Sequence, residues 1–468
     1  MEDIFVDVAV IGAGPAGQKA AIQSVKLGFR TLIIDKEVAP GGSCLYSGTI
    51  PSKSLREAVV DYTRFYERGF REEEQFRKEI TIQDLNHRLD VVIDQERSMI
   101  ERQFRKNHVR FIHEGRAHFK TPQVLLVSSY QGELLYRIKA KNFIICVGSK
   151  PRNPPEIPFD GEVIVDSTTL LGIKKIPKTM VVLGGGVIGA EYASMFAALG
   201  TRVTIADKKD HILSFLDSEM GVHLQTALTN LGMKFLGNKK PIAIERVGDR
   251  GKVTFDDGSE VFGACVLYAL GRTANVKSLE IENAGLVLNS QGYISVNNNF
   301  QTEQPHIYAV GDVIGGPCLA STSMEQGRLA ARHACQAQAD NFPKRYPFCV
   351  WTIPEISSVG YTEDQLKDLG FRYEVGRAHF YEVARSHITG SFVGLLKILF
   401  HKETLEILGV HIIGRTAAEL IHIGEIAMDF NAKIDYFVSE IFNYPSYSEA
   451  YRIAALNGLN KIEVKRLK

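Results

Sequence analysis

Apolar positions fall into two kinds of run along this chain. Short apolar runs alternate with longer stretches in which apolar residues recur every three or four positions. Residues 5–11 (FVDVAVI) predict a buried parallel strand. A glycine-rich turn follows, then a helix to about Leu27, then a strand over 30–34 that ends at Asp35. The same order returns later. Residues 180–183 predict a strand, glycines follow, a helix runs to about Leu199, and a strand over 202–206 ends at Asp207. Between the copies, residues 54–67 and 82–106 predict two charge-rich amphipathic helices, with Leu85, Leu89, Val92 and Ile93 on one face. Residues 109–147 predict β-structure, and a proline-rich linker occupies 151–158. A helix is expected over 323–337, and the character changes again from about Tyr346.

The turns carry the first chemistry. Gly12-Ala13-Gly14-Pro15-Ala16-Gly17 fits GxGxxG, and so does Gly184-Gly185-Gly186-Val187-Ile188-Gly189. In this pattern the first glycine permits a tight turn, the second lets a phosphate reach the backbone, and the third lets the helix pack on the sheet. The free N–H groups of the helix that follows can hold a pyrophosphate. Asp35 and Asp207 are placed to bond ribose hydroxyls. Each follows its first glycine by 23 positions. Two full matches at equal spacing predict two dinucleotide sites in one chain.

Composition narrows the class. The chain has 468 residues, enough for about three domains of ~100–200 residues. Hydrophobic residues make up 45% and charged residues 23%, so a large core is available. Lys plus Arg number 55 against 54 for Asp plus Glu, a balance with no global pull toward nucleic acid or an anionic membrane. The six cysteines, at 44, 146, 265, 318, 335 and 349, form neither a zinc spacing nor a secreted disulfide framework. A reducing cytoplasmic compartment is expected, with no metal. The amino-terminal run MEDIFVDVAVIGAG has no basic leader or cleavage site and reads as a strand. The apolar run 392–400 is interrupted by Lys397 and is far too short to span a bilayer.

Residues 41–53 read GGSCLYSGTIPSK. This stretch resembles the redox-active segment of the pyridine-nucleotide disulfide oxidoreductases, the FAD enzymes that include glutathione reductase, dihydrolipoyl dehydrogenase and mercuric reductase. The resemblance covers nearly the whole chain. It implies an α/β fold with two Rossmann-like dinucleotide-binding domains and a C-terminal α+β dimerisation domain. The expected boundaries are 1–149 with 276–345 for FAD, 150–275 for NAD(P), and 346–468 for dimerisation. For FAD it implies Gly12, Gly14, Gly17, Asp35, Lys36, Gly41, Gly42, Cys44 and Lys53. Gly115 and Ala117 would meet its adenine end, Gly148 would lie in the strand-turn beside it, and Asp312, after Gly311, would bond the ribitol. For the nicotinamide nucleotide it implies Gly184, Gly186, Gly189, Asp207 and Lys208, with Gly271 at the end of that domain. Lys53 and Glu191 would form an ion pair beside flavin N5 and the nicotinamide, which makes them the catalytic pair. Residues 351–363 (WTIPEISSVGYTE) resemble the start of the dimerisation domain, so a homodimer or higher homo-oligomer is expected.

Two departures reshape the expected chemistry. Most of the family carries a second cysteine five positions after the first, but here that position is Thr49. A hydroxyl forms no disulfide and does no thiolate chemistry. The family's His-Pro-Thr segment, with its glutamate, is replaced by Tyr444-Pro445-Ser446, with Glu449 kept. A tyrosine of ordinary pKa near ~10 is a poor proton shuttle at neutrality. Both missing groups serve the same thiol half-reaction, so that half-reaction is expected to be absent. The GTIPSK and NYP segments resemble those of the soluble pyridine nucleotide transhydrogenases, a branch that moves hydride between NADPH and NAD through bound FAD, in ping-pong order. An NAD(P)H oxidase or diaphorase using Cys44 or free flavin is the enzymatic alternative, and a flavin-bearing sensor without turnover is the other. Asp207 would bond the ribose of NAD. For NADPH, it would swing away while Lys208 or Lys209 pairs with the 2′-phosphate.

Overall fold

The computed structural model describes residues 1–67 and 81–466. The chain divides into two compact units. One comprises residues 1–54, 86–153 and 271–343; the other comprises 55–85, 154–270 and 344–468.

The first unit is built on a sheet in the order Arg110–Ile112, Thr31–Ile34, Glu2–Ile11, Leu134–Ile145, all parallel. Leu134–Ile145 is shared along its length. Its C-terminal half pairs in parallel with Ile307–Ala309, and its N-terminal half pairs antiparallel with Val124–Ser128, which in turn pairs with Arg116–Thr121. Alternation along Glu2–Ile11 feeds two cores. Val8 and Val10 pack with Ala16, Ala20 and Ala21 of the helix Pro15–Lys26, while Ala9 and Ile11 pack with Phe119 and Phe143 on the other face. The helix Pro15–Lys26 lies against the helix Ala320–Ala334 so closely that a Cβ at Gly327 would stand 2.1 Å from the Ala16 carbonyl oxygen.

The second unit contains a parallel sheet in the order Lys234–Leu236, Arg202–Ala206, Thr179–Leu183, Cys265–Tyr268, Ile164–Val165. A three-stranded antiparallel sheet, Pro241–Val247, Arg250–Phe255 and Glu260–Gly263, supplies Val253 and Phe255 to the core under one face. The same unit holds a five-stranded antiparallel sheet in the order Phe348–Val350, Ile356–Gly360, Ile407–Gly414, Gly394–His401, Tyr373–His379. Helices Ala417–Asp429 and Glu449–Arg466 share a core with that sheet. Val350, Ile356, Leu395 and Ile413 of that sheet share a further core with Met195 and Phe196, so the two sheets stand on common ground.

Two helices differ from expectation at their ends. The helix expected from Ser54 starts at Thr49 and runs to Glu67. Pro51 is compatible with its first turn, because the first N–H groups of a helix have no partner within it. The helix expected over 323–337 spans Ala320–Ala334, and Gln336 just after it takes a left-handed φ of 54°. Among the described residues, no helix is long and apolar enough to cross a membrane.

Candidate active site

Each glycine turn is enforced by contacts that only hydrogen at Cα allows. In the first unit Gly12 has φ 103°, and a Cβ there would lie 2.5 Å from the Cys146 carbonyl oxygen; a Cβ on Gly17 would lie 1.8 Å from the Gly12 carbonyl oxygen. Gly14 caps the helix Pro15–Lys26 without any side-chain cap, so the N–H groups of its first turn are left for an anion. The Asp35 carboxylate accepts from Ala13 N–H at 2.6 Å and from Glu37 N–H at 3.0 Å. Burial pushes its carboxyl up, more than these two bonds pull it down. It thus braces the turn while standing at the end of its strand. Gly115 lies beside it, donating its N–H to the Asp35 carbonyl at 3.0 Å. Ala117 packs half-buried against the core below. Lys36 is exposed, with Nζ 3.5 Å from Glu37.

The segment with the lone redox-position cysteine folds onto this turn. Gly41 N–H donates to the Ala13 carbonyl at 3.0 Å, and a Cβ on Gly42 would sit 2.8 Å from the Gly14 Cα. Gly41 has φ 144° and Gly42 φ 60°, both outside the range comfortable for other residues. Cys44 follows on the short helix Gly42–Tyr46. Burial raises its thiol pKa above the ordinary value, against a lowering hydrogen bond with the Thr49 side chain and the nearby charge of Lys53. Thr49 therefore stands where a second sulfur would, but offers a hydroxyl. None of the six cysteines is in a disulfide.

Asp312 belongs to the same unit, and its neighbours were not foreseen. Ser149 Oγ donates to Asp312 Oδ2 at 2.6 Å, and Arg272 donates to Ser149 through Nε at 2.8 Å and through Nη2 to its carbonyl at 2.9 Å. Strand Arg272–Ala274 pairs with Ser149–Pro151, which brings these groups together. Gly148 and Gly271, with φ 65° and 106°, turn the chain just before each of these strands. Gly311, with φ 78°, sends its N–H to Gln326 Oε1 at 2.8 Å and so orients the residue before Asp312.

The second unit repeats the first turn. Gly184 has φ 108° and a Cβ there would lie 2.7 Å from the Ala269 carbonyl oxygen; one on Gly189 would lie 1.9 Å from the Gly184 carbonyl oxygen. Gly186 caps the helix Val187–Ala198 without a side-chain cap. Asp207 Oδ2 accepts from Gly185 N–H at 2.6 Å and Oδ1 from Lys209 N–H at 2.8 Å. Both oxygens of Asp207 are thus engaged by backbone. Lys208 is exposed, and Lys209 Nζ bonds Ser214 Oγ at 2.6 Å. Glu191 is buried on the same helix, its Oε1 accepting from Trp351 N–H at 2.9 Å. Lys53 belongs to the first unit and Glu191 to the second.

Near the carboxy terminus Tyr444 is 73% exposed, with Phe430 at 83% and Ile441 at 92%. Glu449 Oε2 and Ser446 Oγ are buried there and find no hydrogen-bond partner among the described residues. Among the described residues no group of three or more His, Cys, Asp or Glu could hold a metal ion.

Comparison with known proteins agrees with this architecture. Residues 6–327 match the pyridine nucleotide-disulphide oxidoreductase family, and residues 346–455 match its dimerisation domain. A soluble pyridine nucleotide transhydrogenase of Mycobacterium bovis (strain BCG / Pasteur 1173P2) is 43% identical over 458 residues, covering 97% of both chains. One from Enterobacter sp. (strain 638) is 41% identical over 460 residues, covering 97% of this chain and 98% of its own. Among solved structures, LpdA from Mycobacterium tuberculosis superposes with a TM-score of 0.87 at 25% identity, covering 99% of this chain and 100% of its own. The HOCl-induced flavoprotein disulfide reductase RclA from Escherichia coli superposes with a TM-score of 0.86 at 26% identity, covering 96% of this chain and 99% of its own.

Proposed function

The chain belongs to the pyridine nucleotide-disulphide oxidoreductases, and from that premise we propose that it is an FAD-dependent NAD(P)+ transhydrogenase; relatives 41–43% identical to it are named soluble pyridine nucleotide transhydrogenase. One observation carries the reading. The redox position holds a single sulfur, Cys44, whose side-chain partner is Thr49 where most of the family has a second cysteine. A disulfide or metal substrate has no dithiol to meet. Exchange between two nicotinamide nucleotides needs no dithiol.

The residues fit the groups this requires. Gly12, Gly14 and Gly17, with the uncapped helix behind them, suit the FAD pyrophosphate, and Asp35 suits its ribose. Asp312, held by Ser149 and Arg272, suits the ribitol. When bound, the flavin supplies a two-electron hydride acceptor and donor. Lys53 would place a positive charge at its reactive end, and Glu191 would orient that lysine. Gly184, Gly186 and Gly189 suit the nicotinamide nucleotide. With Asp207 tied to two backbone N–H groups, the exposed Lys208, with Lys209 beside it, is the group suited to a 2′-phosphate. NAD(H) and NADP(H) would use this one site in turn.

The exposed Phe430, Ile441 and Tyr444 and the unpartnered Glu449 Oε2 support a homodimer through the C-terminal domain. We place it in the cytoplasm, a reducing compartment suited to six scattered cysteines that form no secreted disulfide framework. The test is steady-state kinetics with NADPH and a thio analogue of NAD, beside analysis of the released flavin. Parallel double-reciprocal lines and FAD, not FMN, are expected. Intersecting lines would require both nucleotides bound at once and would end the one-site reading. The oxidase alternative predicts continuous oxygen consumption with NADPH alone.

A further inference from the structure

Arg56 is a charged residue that the proposed chemistry does not use, yet it is 3% exposed and fully engaged. Its Nε donates to the Thr352 carbonyl at 3.0 Å, its Nη2 lies 3.1 Å from Glu355 Oε1, and its Nη1 lies 2.5 Å from Glu57 Oε1. The guanidinium also stands 5.7 Å from the centre of the Trp351 ring. Arg56 lies on the helix Thr49–Glu67, three residues after Lys53. Residues so spaced share a helix face.

The segment it grips is gripped again from the other side. Trp351 N–H donates to Glu191 Oε1 at 2.9 Å, and Ile353 N–H donates to Ser194 Oγ at 3.2 Å. Ser194 lies one turn beyond Glu191 on the helix Val187–Ala198 and bonds the Glu191 carbonyl at 2.8 Å. The segment is itself fixed. Glu355 Oε2 accepts from Ala418 N–H at 3.1 Å, and the Glu355 carbonyl accepts from Gly414 N–H at 2.8 Å. Residues 351–355 therefore form a crosspiece. One side holds the helix on which Lys53 stands, and the other holds the carboxylate of Glu191.

A buried arginine paired with a glutamate gains little stability over an apolar pair of similar size. Its geometric content is larger. A planar guanidinium that serves a carbonyl and a carboxylate at once fixes direction in a way an ammonium does not. We propose that Arg56 is a positioning residue for hydride exchange: through Thr352 and Glu355 it sets the crosspiece that aims the Glu191 carboxylate. This rests on the roles proposed for Lys53 and Glu191. Arg56 itself touches neither nucleotide nor flavin in this account.

The test uses the intact holoenzyme with Arg56→Met and with the double variant Arg56→Met/Glu355→Gln. The single variant strands the buried Glu355 and is expected to unfold at lower temperature. The double variant removes both charges, and its glutamine oxygen can still accept from Ala418 N–H, so its thermal stability should recover. Positioning predicts that both variants keep wild-type flavin content and wild-type affinity for NADPH. In both, flavin reduction at saturating NADPH should slow by about tenfold or more, since small misplacements near reacting groups cost up to ~100-fold. If the double variant is stable and reduces its flavin at the wild-type rate, Arg56 only neutralises Glu355 and the proposal fails. Trp351 is the chain's single tryptophan, so its emission reports the crosspiece without turnover. That emission should shift in both variants; unchanged emission in both would also overturn the assignment. A wild type that NADPH fails to reduce would instead sink the transhydrogenase reading itself, whereas a wild type that is reduced beside a stable double variant reduced equally fast sinks only the role of Arg56.

Discussion

The two glycine turns are nearly the same object, and they differ in what stands over them. In each, the first glycine passes a neighbouring carbonyl, at 2.5 Å from the ideal Cβ of Gly12 and 2.7 Å from that of Gly184. In each, the acid at the end of the second strand accepts from the turn at 2.6 Å. The surroundings diverge at the middle glycine. The Gly41–Gly42 segment lies against Gly14, whose ideal Cβ would stand 4.0 Å from the Gly42 Cα and which is half-buried, whereas an ideal Cβ on Gly186 meets nothing within 4 Å and Gly186 is exposed. A covered turn suits a cofactor that stays, and an open one suits a nucleotide that must leave after each half-reaction. On the proposed reading, one motif would serve a retained group and an exchanging one, and the difference would come from a segment outside the motif.

The sharpest way to break that comparison is to spoil each turn separately. Gly17→Ala puts a methyl 1.8 Å from a backbone oxygen and Gly189→Ala puts one 1.9 Å from its counterpart. Neither fits without a backbone shift, at a cost of about 1–3 kcal/mol or more. Gly17→Ala is expected to purify without flavin. Gly189→Ala should keep its yellow colour but lose nicotinamide nucleotide binding, as read by absorbance and titration. Loss of flavin from Gly189→Ala would mean that the two copies do not have separate tasks.

A second break concerns support. The helix Ser218–Asn230 of the second unit starts at Asp217, whose carboxylate meets the 1% exposed Lys397 at 2.8 and 3.0 Å. Lys397 also contacts Glu219 and Glu363, at 2.9 and 2.7 Å. Lys397→Met removes the buried cation shared by three carboxylates, leaves Asp217 without its ion-pair partner, and should destabilise by about 3–5 kcal/mol. In thermal unfolding the loss should fall on the transition that releases nucleotide binding.

The cluster also fixes a pH window. Burial alone would raise the Glu219 carboxyl, but hydrogen bonds from Arg377 and Lys397 outweigh it and hold it near about 2. Asp217 is likewise lowered, with burial opposed by His411 and Lys397. Groups lowered on folding add stability above their unfolded values, and it fades as pH falls through the folded ones. The cluster's contribution should therefore be constant from about pH 5 to 8 and decline below the ordinary Glu value of 4.5 toward about 2. Lys397 is raised by its carboxylate partners against the opposing effect of burial, so its share is lost only on the alkaline side. Acid titration of thermal stability in wild type and Lys397→Met checks this: the two curves should draw together as pH falls below about 4.5 and meet only near about 2.

A smaller effect sharpens the open site. Lys208→Ala/Lys209→Ala should weaken NADPH by roughly tenfold, about the worth of one bond to a charged group, and leave NADH nearly unchanged. Equal losses would show that neither lysine reads the 2′-phosphate.

Much of this was legible in order along the chain. Both turns, both acids and the strands before them follow from spacing, because their partners lie within about one supersecondary unit. The bracing of each turn by its acid spans 22 residues and could have been read from the equal spacing. What stayed hidden joins distant residues. Ser149 reaches Asp312 across 163 positions, and Arg56 reaches Thr352 across 296. No periodicity reports such pairs. Lys397 looked like an interruption in an apolar strand, and only the fold shows three carboxylates converging on it. The early start of the helix at Thr49 was masked by Pro51, which reads as a breaker until it falls in a first turn.

On the proposed reading the chain passes hydride between two nucleotides without a dithiol. The most direct measurement is the visible spectrum of the protein under anaerobic conditions, with NADPH added first and NAD afterwards. The flavin absorbance should bleach with NADPH and return in full when NAD is added, in wild type and in Cys44→Ala alike. Bleaching that NAD does not reverse, or that disappears in Cys44→Ala, would contradict the account.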